Sequence, residues 1–234
     1  MTAADSAAWS AEDPTSRSTA DARLADALRR HPVVAILRAP DGRHLERTVH
    51  TLAEGGVTAV EITVTTPDAL PVLARLRREL DDSVLLGIGT ASTAGHLAAA
   101  EEAGCDFVVS PHTDPELIRA AARAGLATLP GALTPTEALA AHLAGATAVK
   151  LYPAGTLGPG YLSALRAPLP QIPFVPTGAV ELADIPSWLA AGAVAVGLGG
   201  PLLGRTLLTG DQDDLRTRLR TLRQALTAPA RETA

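Results

Sequence analysis

Lys150 interrupts an otherwise apolar, strand-like run, T-A-V-K-L-Y-P-A-G from Thr147 to Gly155. An unpaired ammonium is costly in a core, so such a lysine is neutralised by a carboxylate, reaches water along its stem, or is kept for amine chemistry. Glu61 breaks a second apolar run, V-T-A-V-E-I-T from Val57 to Thr63. An amine and a carboxylate set into apolar strands suit a nucleophile and a proton shuttle. The amine reacts only as the free base, and at a reference pKa of about 10.4 only about one lysine in 2,500 is neutral at pH 7. Lowering that pKa by about three corresponds to roughly 4 kcal/mol, which burial or nearby positive charge must supply. An ionised Glu61 would oppose the change and Arg38 would assist it.

These residues need elements that bring them together. A small residue followed by glycine recurs just before a short apolar run: Gly55-Gly56, Ala103-Gly104, Ala124-Gly125, Ala144-Gly145 and Ala191-Gly192. Glycine after a helix and before a strand is the expected helix terminator of an αβ loop, so the repeat predicts successive βα units. Strands are expected near Val33–Leu37, Ala59–Thr63, Val84–Gly87, Phe107–Val109, Ala127–Leu129, Ala148–Leu151, Phe174–Val175 and Ala193–Gly197. Helical spacing lies between them, as at Leu45, Val49 and Leu52, and the last helix carries Leu215, Leu219, Leu222 and Leu226. Eight units in one α/β domain predict a (β/α)8 TIM barrel, with Ala20 to Arg30 as an extra N-terminal helix across its lower mouth. An open doubly wound sheet is the alternative, but Gly87-Ile88-Gly89 lacks the third glycine of a dinucleotide fingerprint.

In such a barrel the chemistry collects at the C-terminal strand ends. The polar residues expected there are Arg38, Glu61 with Thr63 and Thr65, Thr90, Ser110-Pro111-His112, Lys150, Thr177-Gly178 and Gly199-Gly200. Each has a bland reading as an ion pair, helix cap or turn. The convergence of Glu61 and Lys150 on one mouth favours catalysis. His112 reads as a solvated loop residue.

The chain has 234 residues, 47% of them hydrophobic, enough for one sizeable core. A net charge of −5 gives no electrostatic reason to expect nucleic acid or an anionic membrane surface. Cys105 is alone, which excludes an internal disulfide, and reads as a small core residue. No His, Asp and Cys cluster suggests a metal, and no cofactor is expected. Residues 1–19 read as a disordered leader, 20–228 as the barrel domain and 229–234 as a flexible tail. No uninterrupted apolar span reaches membrane length, and a cytoplasmic protein is expected.

From about Pro32 to about Leu203 the sequence resembles the class I aldolases that act on 2-keto-3-deoxy-6-phosphogluconate, its galactonate epimer or 2-keto-4-hydroxyglutarate. The resemblance rests on P-V-V-A-I-L-R (Pro32 to Arg38), G-G-V-T-A-V-E-I-T (Gly55 to Thr63), G-I-G-T (Gly87 to Thr90) and S-P (Ser110-Pro111). It continues through L-P-G-A-L-T-P-T-E (Leu129 to Glu137), V-K-L-Y-P-A (Val149 to Ala154), P-T-G (Pro176 to Gly178) and G-L-G-G (Gly197 to Gly200). Any one of these is weak; their order and spacing make the match strong.

The resemblance implies that Lys150 is the Schiff-base lysine and Glu61 the proton shuttle. It implies that Thr90 and Arg38 hold the pyruvate carboxylate, and that Pro111 and Tyr152 shape the wall that sets acceptor stereochemistry. Thr177, Gly178, Ala179, Gly199 and Gly200 would cradle the far end of the substrate. Pyruvate and a small aldehyde are the implied partners, and a homotrimer the implied assembly. Three positions depart from the phosphogluconate-cleaving members: Thr65 stands where arginine is common, Ala179 replaces the second glycine of P-T-G-G, and Pro201 stands where serine is common. Ala179 adds a methyl and Pro201 lacks both hydroxyl and N–H, so a non-phosphorylated acceptor is expected to be tolerated or preferred, with Arg38 taking over as carboxylate partner. The other readings are a phosphate-binding epimerase or isomerase barrel and a barrel that only binds a keto acid.

Overall fold

The structure is a computed structural model that describes residues 18–229. α1 (Thr19–Arg30) precedes β1 (Val33–Leu37), followed by α2 (Leu45–Glu54), β2 (Ala59–Thr63), α3 (Ala69–Glu79), β3 (Leu85–Gly89), α4 (Ala94–Glu102), β4 (Phe107–Val109) and α5 (Pro115–Arg123). Next come β5 (Ala127–Leu129), β6 (Gly131–Ala132), α6 (Pro135–Leu143), β7 (Val149–Leu151), α7 (Gly158–Arg166) and β8 (Phe174–Pro176). The chain closes with α8 (Ile185–Ala190), β9 (Val196–Leu198), α9 (Gly200–Leu203), α10 (Thr206–Thr209) and α11 (Gln212–Thr227).

All strand pairs are parallel, in a six-stranded sheet ordered β5-β4-β3-β2-β1-β9 and a three-stranded sheet ordered β6-β7-β8. The sheets meet at two seams. At one, only Pro130 separates β5 from β6; proline has no N–H to give a ladder, and its carbonyl accepts from the Lys150 N–H at 2.9 Å. At the other, Thr177 bridges to Gly197 in parallel. The sequence expected one strand at Ala127–Leu129, whereas the chain resumes pairing after Pro130 and hands over from β4 to β7. Other ends shift slightly: β3 runs on to Gly89, β7 starts at Val149, β8 ends at Pro176, and the final strand covers Val196–Leu198 rather than Ala193–Gly197.

The expected glycine junctions are borne out by backbone geometry, since Gly56, Gly104, Gly125, Gly145 and Gly192 all have positive φ. Helix starts are equally local. Asp114 accepts from the N–H groups of Glu116 and Leu117 ahead of Pro115, and Thr134 and Glu137 form a capping box on α6. A capping box of Ser18 and Asp21 also starts α1. Of the residues assigned to the leader from sequence, Ser18 therefore caps the helix and Thr19 opens it; the rest of that segment, and 230–234 of the assigned tail, lie outside the described residues.

Two apolar layers result. The larger lies between strands and helices and contains Leu37, Leu52, Ile62, Leu76 and Trp188. The smaller is enclosed by the strands and contains Val34, Ala59, Leu85, Phe107, Leu129, Ala148 and Val175, stoppered at the N-terminal strand ends by Leu24, Ala27 and Leu28 of α1. Arg23 pins α1 through Asp106 at 2.7 Å, and Asp106 is also bound by Arg77 at 3.0 Å. Among the described residues no helix is long and apolar enough to cross a membrane.

Candidate active site

Strand alternation decides which side chains meet. Ala59 and Ala148 belong to the enclosed layer, so Glu61 and Lys150, two residues further on, face the same interior nearer the C-terminal strand ends. Glu61, Lys150 and Thr177 border one space of about 10 Å³, about the size of a single water sphere. Glu61 is 2% exposed and Lys150 9%. Gly89 makes room for the carboxylate: a Cβ there would sit 2.6 Å from Glu61 Oε1.

Burial dominates the electrostatics of this pair. It pushes the Glu61 carboxyl above the usual carboxylate range, against the attraction of Lys150 and then Arg38. It pulls the Lys150 ammonium below its usual value, with Glu61 opposing and Arg38 assisting. Both groups are thus driven toward their neutral forms, and no ion pair within 4 Å joins them among the described residues. A neutral amine next to a protonated carboxyl is a nucleophile beside its general acid. The Tyr152 ring centroid lies 5.1 Å from Lys150 Nζ, where an aromatic face stabilises any cation formed at that nitrogen.

Above this pair Arg38 spreads its fork across two threonines. Its Nη1 donates to Thr65 Oγ1 at 3.0 Å and its Nη2 to Thr90 Oγ1 at 3.1 Å. Thr65 thus supports one prong of Arg38. Thr63 contacts both Thr65 and Thr66 at 3.1 Å, and Thr66 accepts from the Ala39 N–H at 3.1 Å. Thr90 has φ 62°, a left-handed conformation that a β-branched residue adopts only under constraint.

The remaining expected residues follow β4, β7, β8 and β9. Pro111 is exposed, and its carbonyl abuts Gly131, the register partner of Lys150. Tyr152 packs on Gly178, where a Cβ would lie 3.0 Å from the ring. Ala179 follows with φ 54°, so it keeps the backbone path of a glycine and adds only a methyl. Gly200 opens α9, with Pro201 behind it inside the same short helix; Gly199 precedes it, and nothing lies within 4 Å of a Cβ placed on Gly200. Thr177 is buried, and its hydroxyl donates to the Val175 carbonyl at 3.2 Å.

Sequence reasoning gave no role to Gly89 or Thr66. The signal for Thr66 was present in the threonine cluster T-V-T-T at the end of β2; the need for Gly89 arises only from the facing strand. His112 is exposed, as expected of a loop histidine. Cys105 is buried, which pushes its thiol up to about 12, with Asp106 adding to the effect. Among the described residues no group of three His, Cys, Asp or Glu side chains is arranged to hold a metal ion.

The chain matches the family model described as KDPG and KHG aldolase over residues 24–217. It is 36% identical over 181 residues to a Rhizobium meliloti protein named "Probable 2-dehydro-3-deoxy-6-phosphogalactonate aldolase", covering 77% of this chain and 85% of the relative. It is 38% identical over 160 residues to the 2-dehydro-3-deoxy-phosphogluconate aldolase of Pseudomonas aeruginosa, covering 68% of this chain and 71% of the relative. Among solved structures, one described as native KDPGal superposes with a TM-score of 0.76 at 30% identity, covering 83% of this chain and 94% of the other.

Proposed function

Because the chain belongs to the KDPG and KHG aldolase family and is an aldolase yielding pyruvate and an aldehyde, we propose that it works through a Schiff base on Lys150 with Glu61 as the proton shuttle. The observation that carries this reading is the shared burial of the two groups, which favours a free amine and a protonated carboxyl. Lys150 Nζ attacks the keto carbon, and Glu61 gives its proton to the departing water, leaving a cationic iminium. In cleavage, Glu61, now a carboxylate, takes the proton of the hydroxyl on C4, the C3–C4 bond breaks, and its electron pair flows into the iminium nitrogen. The resulting enamine takes a proton at C3 from Glu61, and water hydrolyses the iminium to release pyruvate.

Arg38 and Thr90 are the proposed partners of the substrate carboxylate, which the two-pronged guanidinium suits. Pro111 and Tyr152 would line the side on which the aldehyde approaches, with Thr65 holding Arg38 in place. Thr177, Gly178, Ala179, Gly199 and Gly200 would receive the far end of the substrate. A closed (β/α)8 barrel with α1 as an extra N-terminal helix is the proposed architecture; the break of one strand into β5 and β6 at Pro130 and the bridge between Thr177 and Gly197 support it. A cytoplasmic homotrimer is the assembly and setting proposed from the family likeness. Sedimentation of dilute protein showing monomer alone would reject that assembly.

Borohydride reduction in the presence of pyruvate tests the mechanism. A reduced pyruvyl group is expected on the peptide containing Lys150, and Lys150→Met should remove both the adduct and aldol cleavage. A fully active methionine variant would end the Schiff-base reading.

A further inference from the structure

We propose a second ligand site, for a small monocarboxylate with an apolar body, at the strand ends opposite Lys150, between α1 and the residues leading into β7, β8 and β9. A cavity of about 300 Å³ opens there, lined in part by Leu28, Arg166, Gln171, Ile172, Pro173 and Val194. That is the size of a small-molecule pocket, whereas the space bordered by Glu61 and Lys150 is about 10 Å³.

Arg166, the last residue of α7, determines the ligand class. Its Nη1 reaches the Ala191 carbonyl at 3.4 Å, a long contact, while its Nε is buried without any hydrogen-bond partner. Arg166 takes part in none of the ion pairs among the described residues. A buried guanidinium donor without an acceptor is a standing preference for an anion, and the planar fork matches a carboxylate. The fork lies against Gly192, whose missing side chain leaves room for it. Arg29, also at the cavity, is already engaged by Asp26 at 2.7 Å. One cation without an anionic partner, set against Leu28, Ile172, Pro173 and Val194, therefore selects a single negative charge on an apolar body.

The walls are fixed before any ligand arrives. α1 is tied on one side by Arg23 to Asp106 and on the other by the hydrogen bond from Thr147 to Asp21, and Leu28 is buried in the enclosed core. Thr147 lies three residues before Lys150, about 10 Å along an extended chain, so the two sites are distinct.

The test titrates the full-length protein with benzoate, and in parallel with benzyl alcohol as its uncharged counterpart, following the methyl NMR signals of Leu28, Ile172 and Val194. Benzoate should move these signals saturably and bind at least about tenfold more tightly than benzyl alcohol. Arg166→Gln should weaken benzoate about tenfold or more, and Ala25→Phe, which fills the cavity, should remove the shifts, both with aldol cleavage retained. Lys150→Met should leave them unchanged. The site is refuted if benzoate leaves the three signals unmoved in the unmodified protein, if benzyl alcohol binds as tightly, or if Lys150→Met abolishes the shifts. The benzoate and benzyl alcohol comparison decides the matter even if a variant fails to fold.

Discussion

Glu61 and Lys150 face one another across a single buried space, yet no ion pair within 4 Å joins them among the described residues. Burial outweighs their mutual attraction in both cases, raising the acid and lowering the amine. Both shifts run in the direction that acid catalysis by a carboxyl and nucleophilic attack by an amine require, since an ordinary carboxylate is a poor acid and an ordinary ammonium no nucleophile at neutral pH.

Glu61→Gln should still form the imine with pyruvate but lose exchange of the pyruvate methyl protons with deuterated solvent, by about 100-fold or more. Proton NMR in D2O measures this directly. Exchange at the unmodified rate would make Glu61 structural.

The same substitution carries a stability signature. The folded Glu61 has a pKa above its unfolded value, near 4.5, so between those two values the folded state holds more protons and stability falls as pH rises. Glutamine removes that loss. Urea unfolding should show Glu61→Gln about 1 kcal/mol or more stable than the parent at pH 8, with the difference shrinking toward pH 4.5. An advantage that instead grew as the pH fell would contradict the burial argument.

Thr90 holds a left-handed backbone while its hydroxyl accepts from Arg38. Thr90→Gly should relieve the strain and gain about 1 kcal/mol of stability while losing about tenfold in kcat/KM for cleavage. Thr90→Ser, which restores the hydroxyl, should recover most of the activity. Equal activity of the glycine and serine variants would remove Thr90 from the site.

Arg38→Lys keeps a charge but cannot span Thr65 and Thr90, so KM for pyruvate-derived substrates should rise about ten- to a hundredfold. Thr65→Val removes one of the two rests and should give a smaller rise in KM, with kcat little changed. If Thr65→Val lowered kcat and left KM alone, Thr65 would act on chemistry and not on placement of the arginine.

Ala179 follows the path of a glycine and differs by one methyl next to the proposed far end of the substrate. Ala179→Gly should therefore raise kcat/KM for 2-keto-3-deoxy-6-phosphogluconate relative to 2-keto-4-hydroxyglutarate by about tenfold, the scale of one charge-assisted hydrogen bond. No change in that ratio, together with strong competition by inorganic phosphate in the unmodified protein, would show that the Ala179 methyl does not limit phosphate.

Much of this protein is legible in the amino-acid sequence because its signals are local. A glycine before each of several strands marks a helix end that needs positive φ, and Gly56, Gly104, Gly125, Gly145 and Gly192 all supply it. Lys150 and Glu61 stand out because each places a charge in an apolar strand, where period-two alternation fixes the facing side. What the sequence could not settle involves partners distant along the chain. That Thr65 supports Arg38, that Gly89 is vacated for the Glu61 carboxylate, and that the ladder hands over at Pro130 depend on strands brought side by side. The direction of the Glu61 and Lys150 titrations also belongs to the tertiary structure. The same two residues in water would be a carboxylate and an ammonium, and only the removal of solvent around both raises the acid and lowers the amine.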